Sequence, residues 1–215
     1  MTLNQTSAAS PKLNKTLLFA GLAAAVLIGA IAASTKVVVI GSVGDVRKKV
    51  FSKEEYGAAT FPDVQKFVVD HAVDAKELAI AIAADPIAAG KKYGVETGTG
   101  PVIPVTFIGL AGEASSGIYK VAVDGMDGIL VRVQTGPAVN GTELRDASGA
   151  IKFGQFTNQI EFQDAGSAIN NEMKKQVLSP LDTTNLASKT IKVTGAFKLI
   201  NPKGWLVTPV KFEVK

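Results

Sequence analysis

Two blocks of two-residue alternation constrain this chain most. In the first, Tyr119, Val121 and Val123 alternate with Lys120, Ala122 and Asp124, and Ile129, Val131 and Val133 with Leu130, Arg132 and Gln134. In the second, Ile191, Val193, Phe197 and Leu199 stand against Lys192, Thr194 and Lys198, and Val210, Phe212 and Val214 against Lys211, Glu213 and Lys215. A period of two with one apolar face requires half-buried strands. The short Gly-containing link from Asp124-Gly125 to Gly128 predicts a hairpin. Asn201-Pro202-Lys203-Gly204 is turn chemistry, and Pro209 suits an edge or a bulge. The apolar, β-branched stretch Val102 to Leu110 adds a strand to the first block.

Between the blocks lies a polar stretch, Gly136 to Leu178. Asp164 is placed to cap a helix reaching about Leu178, with Ala165, Ala168, Ile169, Met173 and Val177 on its buried stripe and Ser179-Pro180 as its end. Three strands, a helix and two more strands is the element order of an OB-type barrel. Upstream, Ser52 and Glu55 have capping-box spacing. Thr60 and Pro62 open a second helix, on which Val64, Phe67, Val68 and His71 share a face. Asp74 with Glu77, Asp85-Pro86 and Gly94 mark further starts and a stop. The expected class is α+β: an N-terminal membrane helix, a small helical domain with an extended lead-in (36–97), and a five-stranded OB-like β-barrel (98–215) with a helix between strands three and four.

Thr16 to Thr35 is a run of 20 residues without a charge, long enough to span a bilayer. It is either a transmembrane anchor or a cleavable signal peptide, since Ala30-Ile31-Ala32 has the small-x-small form of a cleavage site. Residues 1–15 are then a cytoplasmic leader. Lys12 and Lys15 precede the run, while Lys36, Arg47, Lys48 and Lys49 follow it. Large domains translocate largely regardless of such charges, so the expected place is the inner membrane with the folded part in the periplasm. From Lys36 onward 21 basic residues face 19 acidic ones, too even a balance for a nucleic-acid surface. Cysteine is absent and His71 is the single histidine. That excludes a disulfide framework and a thiolate nucleophile, and leaves no reason to expect a metal site or a cofactor.

The binding candidates are Asn140, Thr142, Arg145, Asp146, Asn158, Gln159 and Glu161, whose amides, hydroxyl and charged groups suit a neutral hydroxylated ligand. The alternative is that Asn158 and Gln159 satisfy backbone groups where strands meet helix. Arg132 and Trp205 are added because OB barrels bind on the face of strands two and three and on nearby loops; Trp205 equally suits a plug at the barrel end. Glu143, Asp146, Glu161 and Asp164 offer a carboxylate pair for glycoside hydrolysis, or caps and turns. Gly94 to Gly100 and Gly41 to Lys49 lack phosphate-loop fingerprints and are expected to be linkers.

The stretch Phe153 to Leu178, FGQFTNQIEFQDAGSAINNEMKKQVL, preceded by NGTELRDA (Asn140 to Ala147), resembles a bacterial family of predicted periplasmic lipoproteins of unknown function. The likeness runs from about Val37 to Lys215 and is densest at Phe156-Thr157-Asn158-Gln159-Ile160-Glu161. It implies a small helical domain before an OB-like barrel, and the family has no established catalytic residues to carry over. It also implies a setting beside sugar-type ABC importers, so the expected partners are importer components or a small sugar-like ligand. This chain departs from the family in having no lipobox cysteine, and a transmembrane anchor would replace the lipid.

Overall fold

A computed structural model of the chain describes residues 15–37 and 51–215. The chain divides into two compact units, Met1–Lys49 and Val50–Lys215. Of the expected leader only Lys15 is described, and the extended stretch expected to Val43 lies, beyond Val37, outside the described residues.

The first unit contributes α1 (Lys15–Ser34), which carries no charge after Lys15. Phe19, Leu22, Val26, Leu27, Ile28 and Ile31 are all exposed. Its end is held by the hydroxyls of Ser34 and Thr35, both donating to the Ile31 carbonyl, at 3.1 and 2.7 Å. No helix among the described residues is long and apolar enough to cross a membrane. The expected span therefore has a helix in its place without a demonstrated crossing.

The second unit begins with α2 (Lys53–His71), then β1 (Val73–Asp74), α3 (Ala75–Ala84) and α4 (Pro86–Tyr93). Ser52, Asp74 and Asp85 accept from the free N–H groups at the three helix starts, and Gly94 closes α4. Thr60 and Pro62 do not open a separate helix, because α2 runs through Pro62. A proline inside a helix costs about 3 kcal/mol. Phe61, Val64 and Val68 are buried on the other face, and each such side chain contributes about 1.5–3 kcal/mol, so burial prevails over the break.

The strands follow: β2 (Val102–Ser115), β3 (Ile118–Ala122) and β4 (Leu130–Gln134), then, after the intervening helices, β5 (Thr190–Lys198) and β6 (Gly204–Val214). β2 pairs with β5 from Val102 to Leu110 and with β3 from Leu110 to Ser115. β3 pairs with β4 antiparallel, β4 with β6 parallel and β6 with β5 antiparallel. These pairings form a closed ring, and β1 adds a parallel pairing beside Val105 and Thr106. A ring leaves no long unpaired strand edge. The alternation sorts in part: Ile191, Val193 and Phe197 are fully buried, with Lys192 and Lys198 only half-buried, but Thr194, expected outward, is buried and Val214, expected inward, is exposed. Pro209 sits where the β5–β6 register shifts; Gly195 faces Pro209 while Thr194 faces Lys211. The additional residue, Val210, has its carbonyl satisfied by Gln65 Nε2 of α2 at 2.7 Å.

Phe61, Leu78 and Ile82 of the helices belong to the same apolar core as Phe197 and Trp205 of the strands. The helical and strand segments, expected as successive domains, thus share one core within a single unit. Backbone bonds between Val95 and Val102, 2.9 Å in both directions, tie the segments together where a linker was expected.

Candidate functional site

Three elements meet around an open cleft of about 510 Å³. They are the loop 95–99, the single turn α5 (Glu143–Asp146) and the first turns of α6 (Gln159–Met173). The end of β5 supplies Lys198.

The α5 wall is built around one carboxylate. Asp146 accepts from Arg145 Nε at 2.8 Å and from the Thr142 hydroxyl at 2.6 Å. Arg145 is only 8% exposed. Its Nη1 donates to the Phe162 carbonyl at 3.1 Å, and its guanidinium lies 3.7 Å over the Phe162 ring. A buried guanidinium needs such compensation, since an unpaired one is expensive in the interior. The contacts lock α5 onto α6. Asn170 Nδ2 strengthens the joint by donating to the Gly141 carbonyl at 3.0 Å. Lys198 Nζ reaches the Thr142 hydroxyl at 3.5 Å, so Thr142 links the lysine to the carboxylate.

The opposite wall holds itself in shape. The Thr97 hydroxyl donates to the Gly100 carbonyl at 2.6 Å and accepts from Thr99 N–H at 3.4 Å. Gly149 has φ +66°, and a Cβ there would lie 3.0 Å from Val95, so glycine allows the chain after α5 to approach this loop. Behind the cleft, Phe162 makes edge or tilted contacts with Phe153 and Phe156 at 5.7 and 5.5 Å. Phe156 continues to Tyr56 at 5.7 Å.

Of the expected binding residues, Thr142, Arg145 and Asp146 line this cleft together. Asn140 is exposed and outside the lining; its backbone N–H and carbonyl are bound by the Gln134 side chain at 3.2 and 3.0 Å. Asn158, Gln159 and Glu161 serve the start of α6. Asn158 Oδ1 accepts from Glu161 N–H at 2.9 Å, and Glu161 Oε2 accepts from Thr157 N–H at 2.9 Å. Gln159 is exposed in the first turn. The helix therefore starts five residues before Asp164, which is not a cap but pairs with Lys53 at 2.7 Å. Arg132 is in register with Lys120 and Leu206, half-buried and outside the lining, and its Nε lacks a hydrogen-bond partner. Trp205 is a correction. It is 0% exposed, stacks on Phe197 at 4.6 Å and donates from Nε1 to the Pro202 carbonyl at 3.0 Å. A wholly buried indole offers nothing to a ligand.

Among Glu143, Asp146, Glu161 and Asp164, only Asp146 lines the cleft. Burial pushes the Glu143 carboxyl above the usual carboxylate range, with its backbone hydrogen bond and then Lys198 pulling it down less strongly. His71 Nδ1 lies 2.8 Å from the Phe67 carbonyl, and its ring stacks on Phe67 at 4.0 Å. No group of three or more metal-ligating side chains occurs among the described residues. The sequence reading missed Phe162, Lys198 and the loop 95–99. Lys198 was available as the last outward residue of an alternating strand. The loop became part of a site only through the return of Val95 onto Val102.

Residues 23–213 match the family described as predicted periplasmic lipoprotein (DUF2291). The chain belongs to this family. The family's function is unknown, and its description implies a periplasmic, membrane-associated protein. No curated protein matches the chain. A crystal structure of an OB-fold protein from Thermotoga maritima is similar over 78% of this chain and 100% of its own, with a TM-score of 0.63 and 16% identity. At that identity the likeness concerns the fold, and it agrees with the element order read from the alternating strands. The family's lipid has no cysteine to sit on here, since none of the 215 residues is cysteine.

Proposed function

We propose that this chain is a non-enzymatic binding or accessory protein, held at the inner membrane with its second unit in the periplasm, which takes a small hydroxylated ligand in the α5–α6 cleft. The observation carrying this is the rigid Thr142–Arg145–Asp146 wall beside an open cavity. Small-ligand sites are concave, largely pre-formed and furnished with a few fixed polar groups. Here those groups are oriented by bonds to one another and to α6 before any ligand arrives. In this reading α1 provides the attachment. Its side chains Phe19, Leu22, Val26, Leu27, Ile28 and Ile31 stand exposed. In this reading the setting is carbohydrate uptake beside ABC importer components, which is what the family resemblance implies.

Gly98 allows a direct test. It lines the cleft, a Cβ there meets nothing within 4 Å, and its φ is not in the left-handed region. Gly98→Trp should therefore fill the mouth and leave the core intact. The full chain in detergent is screened against mono- and disaccharides by thermal shift. A ligand that raises the parent's midpoint and leaves Gly98→Trp unmoved is the expected result. Equal shifts in both proteins, or none in the parent across the panel, would remove the cleft as the site.

A further inference from the structure

The cleft's charges are not equally available. Asp146 is occupied by Arg145 and Thr142, and Arg145 is in turn occupied by Asp146, the Phe162 carbonyl and the Phe162 ring. That pair is internally neutral and largely buried. Three charged side chains remain in the lining: Lys152, Lys198 and, on the opposite wall, Glu96. None of the three belongs to an ion pair among the described residues. Lys198 has a single long contact, to a neutral hydroxyl. Glu143 attracts it from outside the lining without forming an ion pair. The side chains of the lining without an ion-pair partner are therefore two lysines and one carboxylate.

We infer that the cleft's natural ligand is a polyhydroxy monoanion, an acidic sugar whose carboxylate meets Lys198 and Lys152 while its hydroxyls face Glu96 and Thr142. The inference rests on the cleft being the binding site. A carboxylate supplies the charge-assisted bonds that the lysines lack inside the protein, and such bonds are about twice as strong as neutral ones. Glu96 accepts hydroxyl hydrogens but repels a second anionic charge, which disfavours dianions. The apolar contribution comes from Ile151 and the Phe162 ring that back the lining.

The test uses the full chain in detergent and isothermal titration with three probes of one size class: glucose, glucuronate and glucose 6-phosphate. Glucuronate should bind at least about tenfold more tightly than glucose, a typical margin for one charge-assisted bond. Lys198→Met should remove most of the preference for glucuronate over glucose. Lys198→Arg should restore most of the preference. Added salt should narrow the gap. Equal affinity for glucose and glucuronate, a preference that survives Lys198→Met, or the absence of glucuronate binding would overturn the inference. Tighter binding of glucose 6-phosphate than of glucuronate would overturn the choice of a monoanion. Loss of all binding in Gly98→Trp without any preference among probes would preserve the cleft as a site and reject only its acidic ligand.

Discussion

Glu143 shows how one side chain beside the cleft connects burial to pH. Its carboxyl is raised chiefly by burial, against the smaller pull of Lys198. A carboxyl with a higher pKa folded than unfolded binds more protons in the folded state, so stability falls as pH rises from the unfolded value through the folded one. Glu143→Gln removes the ionisation and keeps the shape. The variant should melt above the parent at about pH 7.5, and the gap should close near roughly pH 4, where the carboxyl is largely protonated in both states. Thermal midpoints across that range check this; a variant less stable at neutral pH would mean that the backbone hydrogen bond and Lys198 together outweigh burial. Arg145 and Trp205 mark how far single residues were readable. Both were singled out as rare polar or aromatic features. Composition alone does not say that Arg145 is locked between Asp146 and Phe162, or that Trp205 is stacked on Phe197, because both depend on how separate elements pack against one another.

At the scale of elements, the strands were readable because a two-residue period has a direct physical cause: alternate side chains enter one core. The helix starts at Ser52, Asp74 and Asp85 were readable for a similar reason, since a short polar side chain must satisfy free N–H groups. The start of α6 was misplaced, although the sequence held a capping signal. Asn158 and Glu161 have N-cap to N3 spacing, and the reading offered Asn158 either to a ligand or to backbone groups where strands meet helix, without placing the helix start there. In the structure Glu161 reaches one residue further back, to Thr157 N–H. Asn158→Ala should cost about 1 kcal/mol of stability, and Asn158→Asp should recover most of it. Chemical denaturation measures that cost, while glucuronate titration of the same variant should match the parent. Weaker binding without a change in stability would return Asn158 to the ligand site. The close approach of α2 to α6 was not readable, because a Cβ on Gly57 would stand 2.5 Å from the Ala168 carbonyl, a contact visible only once both helices are in place.

At the scale of the molecule, a closed ring of strands with helices packed into the same core accounts for Val50–Lys215 as one unit, and α1 belongs to another. What joins such a protein to a membrane is open to experiment, because its family is described as lipoprotein while the chain has no cysteine to carry lipid. The proposed reading gives that role to α1. If α1 is retained as the anchor, the full chain should sediment with membranes and stay there after an alkaline carbonate wash, which strips proteins held only by charge. Deletion of residues 15–37 from a chain exported by a foreign signal should move it to the soluble periplasmic fraction with an unchanged melting midpoint. A reporter after Lys215 should be active outside the cytoplasm. A soluble chain whose first residue lies just past Ala32 would show instead that the run is a removed signal. A reporter active only in the cytoplasm would reverse the topology altogether.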